Sequence, residues 1–552
     1  MLDVSAKGGN GICLYVSRGE TAPYAALSHC WGHKPFLRTL SGSLEAHKSE
    51  ITWEKLPQSF QDAIAFTRQL GIRYLWIDSL CIVQDDQRDW RREAAKMASV
   101  YQGAEIVISA ARSDGAYGGL YADVPDTHKT HTITFVPGHR RRDDDDDYDD
   151  DGDNYPSSTS ESPQTLHLRP SFIHTHRLLS PYHPQTSTLL PIFTRAWVLQ
   201  ERFLSPRLLH FGPHELSFEC LAGTTCQCTP QPEPTTTSAA AEAAQPAWYT
   251  NLLTRTTSPK KYYSYASWRD GSLSERELQV CWRRLVEDYS RLGLTVEGDV
   301  FPAIGGMARL MGKVRGTKYL AGCWEESLMV GDLVWRVDLP VAAAETLGEG
   351  SKEEWRVRAR PSGWRAPSWS WAAVKMPVEF VSGDEGVEAA CEVVEVACEP
   401  VGTDVMGELK ERGSWLVVKG RLIPARLRFK DPEDPQPWNV IDLDILDGHV
   451  KNLWADDGCR GLVTAEGEQP QVYCLLVGRK LPRKEVLCLV LTRVPKDEQG
   501  SAASQGRGEH EDGHLYQRIA MLEIFGGPPS PVLWGWVHNL LGKGEDALVR
   551  VV

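Results

Sequence analysis

At 552 residues, 41% apolar and 24% charged, the chain exceeds what one core organises, and about two or three domains are expected. A net charge of −14 argues against a general nucleic-acid role. Nine of the aspartates fall in one run, Asp143 to Asp153, so the remainder is only mildly acidic. Thirteen scattered cysteines read as reduced thiols rather than a disulfide framework. No signal-like start and no uncharged apolar stretch of ~18 residues is visible, so a cytoplasmic chain without a membrane span is expected.

In chain order, Tyr24–Cys30 is a short apolar run that reads as a buried strand ending in a sharp turn at Trp31-Gly32. Pro57 fits a first helical position. Phe60, Ile64, Thr67 and Leu70 recur at helical spacing before Gly71. Tyr74–Asp78 reads as a central parallel strand. Asp89 is a candidate N-cap for a helix carrying Trp90, Glu93, Ala94, Met97 and Tyr101. Glu105–Ser109 completes a strand–helix–strand–helix–strand order, which predicts a parallel sheet.

Residues 139–184 hold the Arg140–Arg142 run, the aspartate run and a Ser/Thr/Pro-rich stretch; they are expected to be a disordered insertion. Phe193–Glu201 looks helical and Arg207–Gly212 extended. Residues 229–245 form a low-complexity linker. Leu278–Arg291 reads as a helix. Ser414–Lys419, Val472–Val477 and Val486–Leu491 read as strands of a β-rich module from about 364 onward, within a C-terminal α+β region spanning 246–552.

Three blocks stand out: YAALSHCWG (24–32), the stretch from Leu56 to Ala110 containing RYLWIDSLCIVQDD, and TRAWVLQERFLSPRLLHFG (194–212). In order and spacing they resemble the fungal heterokaryon-incompatibility (HET) domain family, whose members trigger cell death when genetically different hyphae fuse. The resemblance covers about residues 20–220. Arg365–Ala372 (RAPSWSWA) resembles a short signature found C-terminal to such domains. The family is in turn similar to Toll/interleukin-1 receptor (TIR) domains. That implies a TIR/flavodoxin-like parallel sheet in the N-terminal domain, followed by a mixed helical and β-rich C-terminal region. Some TIR domains cleave NAD with a glutamate four residues after a tryptophan. Trp197 and Glu201 stand at that spacing, although Val198 replaces the motif's Cys and Thr194-Arg195 occupy the neighbourhood of its Ser.

Ligands of open parallel sheets bind beyond the carboxyl ends of the strands. That edge gathers His29, Cys30, Trp31, Gly32, Asp78 and Cys81 as substrate-pocket candidates, with Trp197 as a stacking surface and Glu201 as the catalytic carboxylate. A carboxylate suits the oxocarbenium-like transition state of nicotinamide–ribose cleavage, with NAD as substrate and no cofactor. The bland alternatives are a solvated Glu201 or one paired with Arg195 or Arg207, and an Asp78 that merely caps a loop. His29 and Cys30 point to opposite faces of a strand and make poor mutual partners, whereas Cys81 with His29 is geometrically easier.

Cys220, Cys226 and Cys228 lack the second pair of a zinc site, so no metal is expected. His510–His514 matches H-E-x-x-H inside a Gly-rich loop without helical periodicity and reads as chance. Two functional readings follow: an NAD-cleaving effector, or a non-enzymatic module that signals cell death by self-association or through a protein partner.

Overall fold

The computed structural model describes residues 1–6, 11–123, 131–135, 164–168, 186–227, 259–338, 361–381, 387–429, 441–443, 452–456, 470–480, 485–495, 514–524 and 542–552. The aspartate run, the 229–245 linker and residues 510–513 lie outside them. So does the 139–184 insertion apart from Gln164–Leu168, which pairs antiparallel with His131–Phe135.

The N-terminal half is built on one eight-stranded sheet. Its strands are β1 (Leu2–Ala6), β2 (Gly11–Leu14), β3 (Tyr24–Ser28), β4 (Tyr74–Trp76) and β5 (Ile106–Ser109). After the 131–135 (β6) and 164–168 (β7) pair come β8 (Arg207–Phe211), β9 (Leu216–Cys220) and β10 (Gly223–Cys226). The spatial order is β10-β9-β8-β5-β3-β4-β1-β2. Only the four central strands are parallel; both edges are antiparallel. The tight connection between β8 and β9 permits only a hairpin, whereas each parallel step has a helix to cross over. Taken in chain order, the parallel strands lie 2-1-3-4, the flavodoxin-like arrangement, with its switch point between β3 and β5.

The crossovers are α2 (Gln58–Gln69), preceded by the short α1 (Leu44–Ser49), and then α3 (Asp78–Cys81) with α4 (Gln87–Gly103). Pro57 sits one residue outside α2 and Leu70 turns to solvent at its end, so the buried stripe is Phe60, Ala63, Ile64 and Thr67. The N-cap of α4 is Asp86, which accepts from the Arg88 and Asp89 amides. Asp89, the expected cap, is one turn inside the helix and accepts from Val83 N at 2.9 Å. The alternation of a strand places successive residues in two cores. Ala25 and Leu27 pack with α2, while Ala26 packs with Met97 and Tyr101 of α4.

Helix α5 (Ala196–Leu204) leads into β8 and is buried nearly all round. It lies between the sheet and the C-terminal half, where α6 (Glu275–Ser290) and α7 (Pro302–Arg315) follow. A Cβ on Gly306 would lie 2.5 Å from Gln200 Oε1 and 2.7 Å from Ala98 Cβ, so glycine lets α7 approach α5 and α4 this closely.

Many of the chain's 19 tryptophans serve this C-terminal core. Trp282 and Trp371 both donate to Gly322 O, at 2.9 and 3.0 Å, and Trp335 donates to Trp369 O at 3.0 Å. The RAPSWSWA segment is thus a structural keystone. Beyond it, Leu409–Phe429, Gln471–Lys480, Glu485–Arg493, Leu515–Ile524 and Glu545–Val551 pair in succession and close into a ring, because Leu409–Phe429 bonds both the first and the last of the other four. Among the described residues no helix is long and apolar enough to cross a membrane.

Candidate functional site

The parity of β3 decides what its carboxyl end presents. Ala26, Ser28 and Cys30 face α4 and α5; Ala25, Leu27 and His29 face α2. In-register pairing then sets Ser28, Ser109 and His210 side by side across β3, β5 and β8. All three are buried, and α5 lies over this polar row. Ser28 Oγ donates to Glu201 Oε2 at 2.6 Å. Next to it Arg202 forms a two-pronged pair with Glu219, both arms 2.9 Å, and His210 Nε2 lies 3.1 Å from the same carboxylate. Lys260 Nζ donates to Arg202 O behind them. Ser109 Oγ has no partner among the described residues.

A cavity of about 970 Å3 opens beyond this edge. It gathers Cys30, Trp31, Gly32, Asp78, Trp197 and Glu201 from the candidates read in the sequence. The volume is at the upper end for small-molecule sites. Trp197 and Glu201, one helical turn apart on α5, share its wall. Gly32 has φ +70°, and a Cβ there would lie 2.8 Å from Gly115 Cα, so the turn that swings Trp31 into the cavity requires glycine. Trp31 Nε1 donates to Asp78 Oδ2 at 2.8 Å, and Asp78 Oδ1 accepts from Ser79 N at 2.6 Å. Asp78, the first residue of α3, therefore binds an amide of that helix's first turn and holds a cavity wall.

Two candidates stand apart. His29 is buried on the opposite face, edge-on to Phe60 at 4.9 Å, and its Nε2 has no partner among the described residues. Burial pushes its imidazole down to about 4, with Arg195 adding to the effect and Asp78 opposing it. Its Nδ1, 3.8 Å from Asp78 Oδ1, is therefore not half of an ion pair at neutral pH. Cys81 ends α3 half-buried among apolar side chains and does not line the cavity. Cys30 does line it, but burial pushes its thiol up to about 11, which leaves no thiolate for nucleophilic attack. Of the remaining cysteines, Cys220 and Cys226 lie on β9 and β10, and Cys228 is outside the described residues.

Glu201 is 5% exposed. Burial pushes its carboxyl up to about 7 against the opposing pull of the Ser28 hydrogen bond and the Arg195 charge; Asp78 adds to the push. Arg207, a partner considered for it, pairs with Glu105 instead at 2.8 Å. Arg195 lines the cavity and donates to His29 O.

The opposite wall was not readable in the sequence. Gly293 N donates to Thr194 O at 2.7 Å and Ala196 N to Gly293 O at 2.9 Å, a short parallel ladder that ties the C-terminal half to the start of α5. It leads Leu294–Val296, Gly298, Asp299 and Pro302 along the cavity. Trp197 Nε1 donates to Asp299 Oδ2 at 3.1 Å, and Arg91 of α4 pairs with Glu408 at 2.9 Å across the mouth. Burial pushes the Asp299 carboxyl up to about 6, with Glu408 adding to the effect and the Trp197 bond opposing it.

The geometry defines an α/β domain with a ligand-sized cavity at the switch point of its sheet, walled in part by a second region. Residues 24–201 match the family described as Heterokaryon incompatibility protein (HET), and the chain accordingly carries a HET domain. Comparison with curated proteins and with solved structures gives no match.

Proposed function

We propose that this HET-domain protein acts in fungal non-self recognition and programmed cell death by hydrolysing NAD in the cavity at the end of β3, with Glu201 as the key carboxylate. The observation that carries the reading is Glu201 itself: a buried carboxyl, oriented by Ser28, on the wall of a ligand-sized cavity that also holds three indoles, Trp31, Trp90 and Trp197. A structural glutamate in such a place would be paired with a cation, as Glu219 is with Arg202.

The chemistry needs little else. The nicotinamide–ribose bond breaks with its electron pair passing to the ring nitrogen, so the pyridinium leaves as neutral nicotinamide and no general acid is required. Positive charge develops on the ribose, where an ionised Glu201 stabilises it or binds the ribose hydroxyls. Water adds to the anomeric carbon and one proton is released. Because the ionised carboxylate does the work, the rate should rise as pH passes through about 7.

The test uses the full chain, expressed in cells, following NAD content and viability for wild type and Glu201→Ala. Loss of NAD and viability with wild type, both abolished by the substitution, is expected. Killing that persists in the variant with NAD intact would overturn the enzymatic reading in favour of signalling by assembly.

A further inference from the structure

We propose that Asp299, which lies outside the 24–201 match, is a specificity residue of this cavity: with the indole of Trp197 it forms a subsite for a ring bearing a neutral carboxamide, the nicotinamide end of the substrate. This rests on the NAD reading and names how the substrate is oriented within it.

Three observations converge. First, Asp299 and Glu201 reach the same cavity on either side of Trp197: Glu201 is one turn along α5, and Asp299 is held by the indole N–H at 3.1 Å. Second, that bond occupies only Oδ2; Oδ1 has no hydrogen-bond or ion-pair partner among the described residues. Two of the cavity's cations are engaged elsewhere, Arg91 with Glu408 and Arg195 with the His29 carbonyl. Third, Trp197 is fixed from both ends, by Asp299 and by Trp90, whose ring meets it edge-on at 6.2 Å. A fixed indole beside a free carboxylate oxygen matches a flat ring whose substituent donates N–H.

A ring carrying a carboxylate in place of the amide would set two negative charges against each other, and it would lose the hydrogen bond. The cavity should therefore favour NAD over its nicotinic-acid counterpart. Asp299→Asn keeps an acceptor for Trp197 and adds an N–H₂ donor suited to a carboxylate.

The full chain, wild type and Asp299→Asn, is assayed for kcat/KM on NAD and on nicotinic acid adenine dinucleotide. Binding of nicotinamide riboside and nicotinic acid riboside is followed by tryptophan fluorescence. Wild type should prefer the amide at least about tenfold, and the variant should lose or reverse that preference while its thermal midpoint stays in place. An unchanged preference in an active variant overturns the role of Asp299 and leaves NAD hydrolysis standing. No cleavage, with neither riboside preferred in binding, overturns both.

Discussion

Replacing Glu201 by Gln should stabilise the protein above neutral pH while abolishing cleavage. The side chain is 5% exposed, and its carboxyl sits at about 7 against an ordinary 4.5. Between those values the folded chain holds a proton that the unfolded chain has released, so stability falls as pH rises from about 4.5 and levels off above about 7. The span corresponds to about 3 kcal/mol lost once the group is ionised in both states. Glutamine keeps the acceptor for Ser28 Oγ and cannot ionise, so this loss disappears. Urea denaturation of both proteins from pH 5 to pH 8.5 should show curves that nearly coincide at pH 5 and diverge to a few kcal/mol at pH 8 in favour of the variant. A variant that is weaker than wild type at pH 8 would refute the reasoning, because it would mean that Glu201 is ionised and held by Arg195 as a structural pair.

Three other outcomes are expected. Ser28→Ala removes a hydrogen bond that favours the ionised Glu201, so the alkaline rise of NAD cleavage should move to higher pH, read from the kcat/KM profile. Cys30→Ala should keep cleavage within about threefold of wild type and the native thiol should resist iodoacetamide at pH 8, since burial keeps it protonated. Glu219→Gln removes the charge of the carboxylate that binds buried Arg202 with two arms and should cost about 3–5 kcal/mol in denaturant midpoint analysis.

The apolar runs at Tyr24–Cys30, Tyr74–Asp78 and Glu105–Ser109, with helical spacing between them, made the parallel part of the N-terminal sheet legible, together with the parity that separates His29 from Cys30. The same parity contained the role of Ser28, facing the helix that carries Glu201. Asp89 was misassigned as a cap because two acidic residues, Asp86 and Asp89, stand one turn apart, and only backbone geometry chooses between them. The antiparallel edges were hidden for a different reason: β1, β2, β9 and β10 are about as long as β3, β4 and β5, but no helical pattern lies between β1 and β2 or between β9 and β10 to frame a strand–helix–strand unit. Asp299 had no local signal. It reaches the cavity through the ladder at Gly293, a contact about a hundred residues away along the chain from Trp197.

That ladder also bears on the chemistry. The cavity is not a property of residues 24–201 alone, since α7 covers one side of α5, packing on it through Gly306. A chain cut near residue 230 would lose α7 and the 293–302 wall. Ala196, Leu199 and Leu204 would be uncovered, and water would reach Glu201. Burial is the leading cause of the raised Glu201 carboxyl, so hydration would return it toward 4.5 and strip the site of the dry surroundings in which a carboxylate stabilises a developing cation. The second region is therefore part of the site's electrostatics, and the state of Glu201 reports whether the two halves are joined.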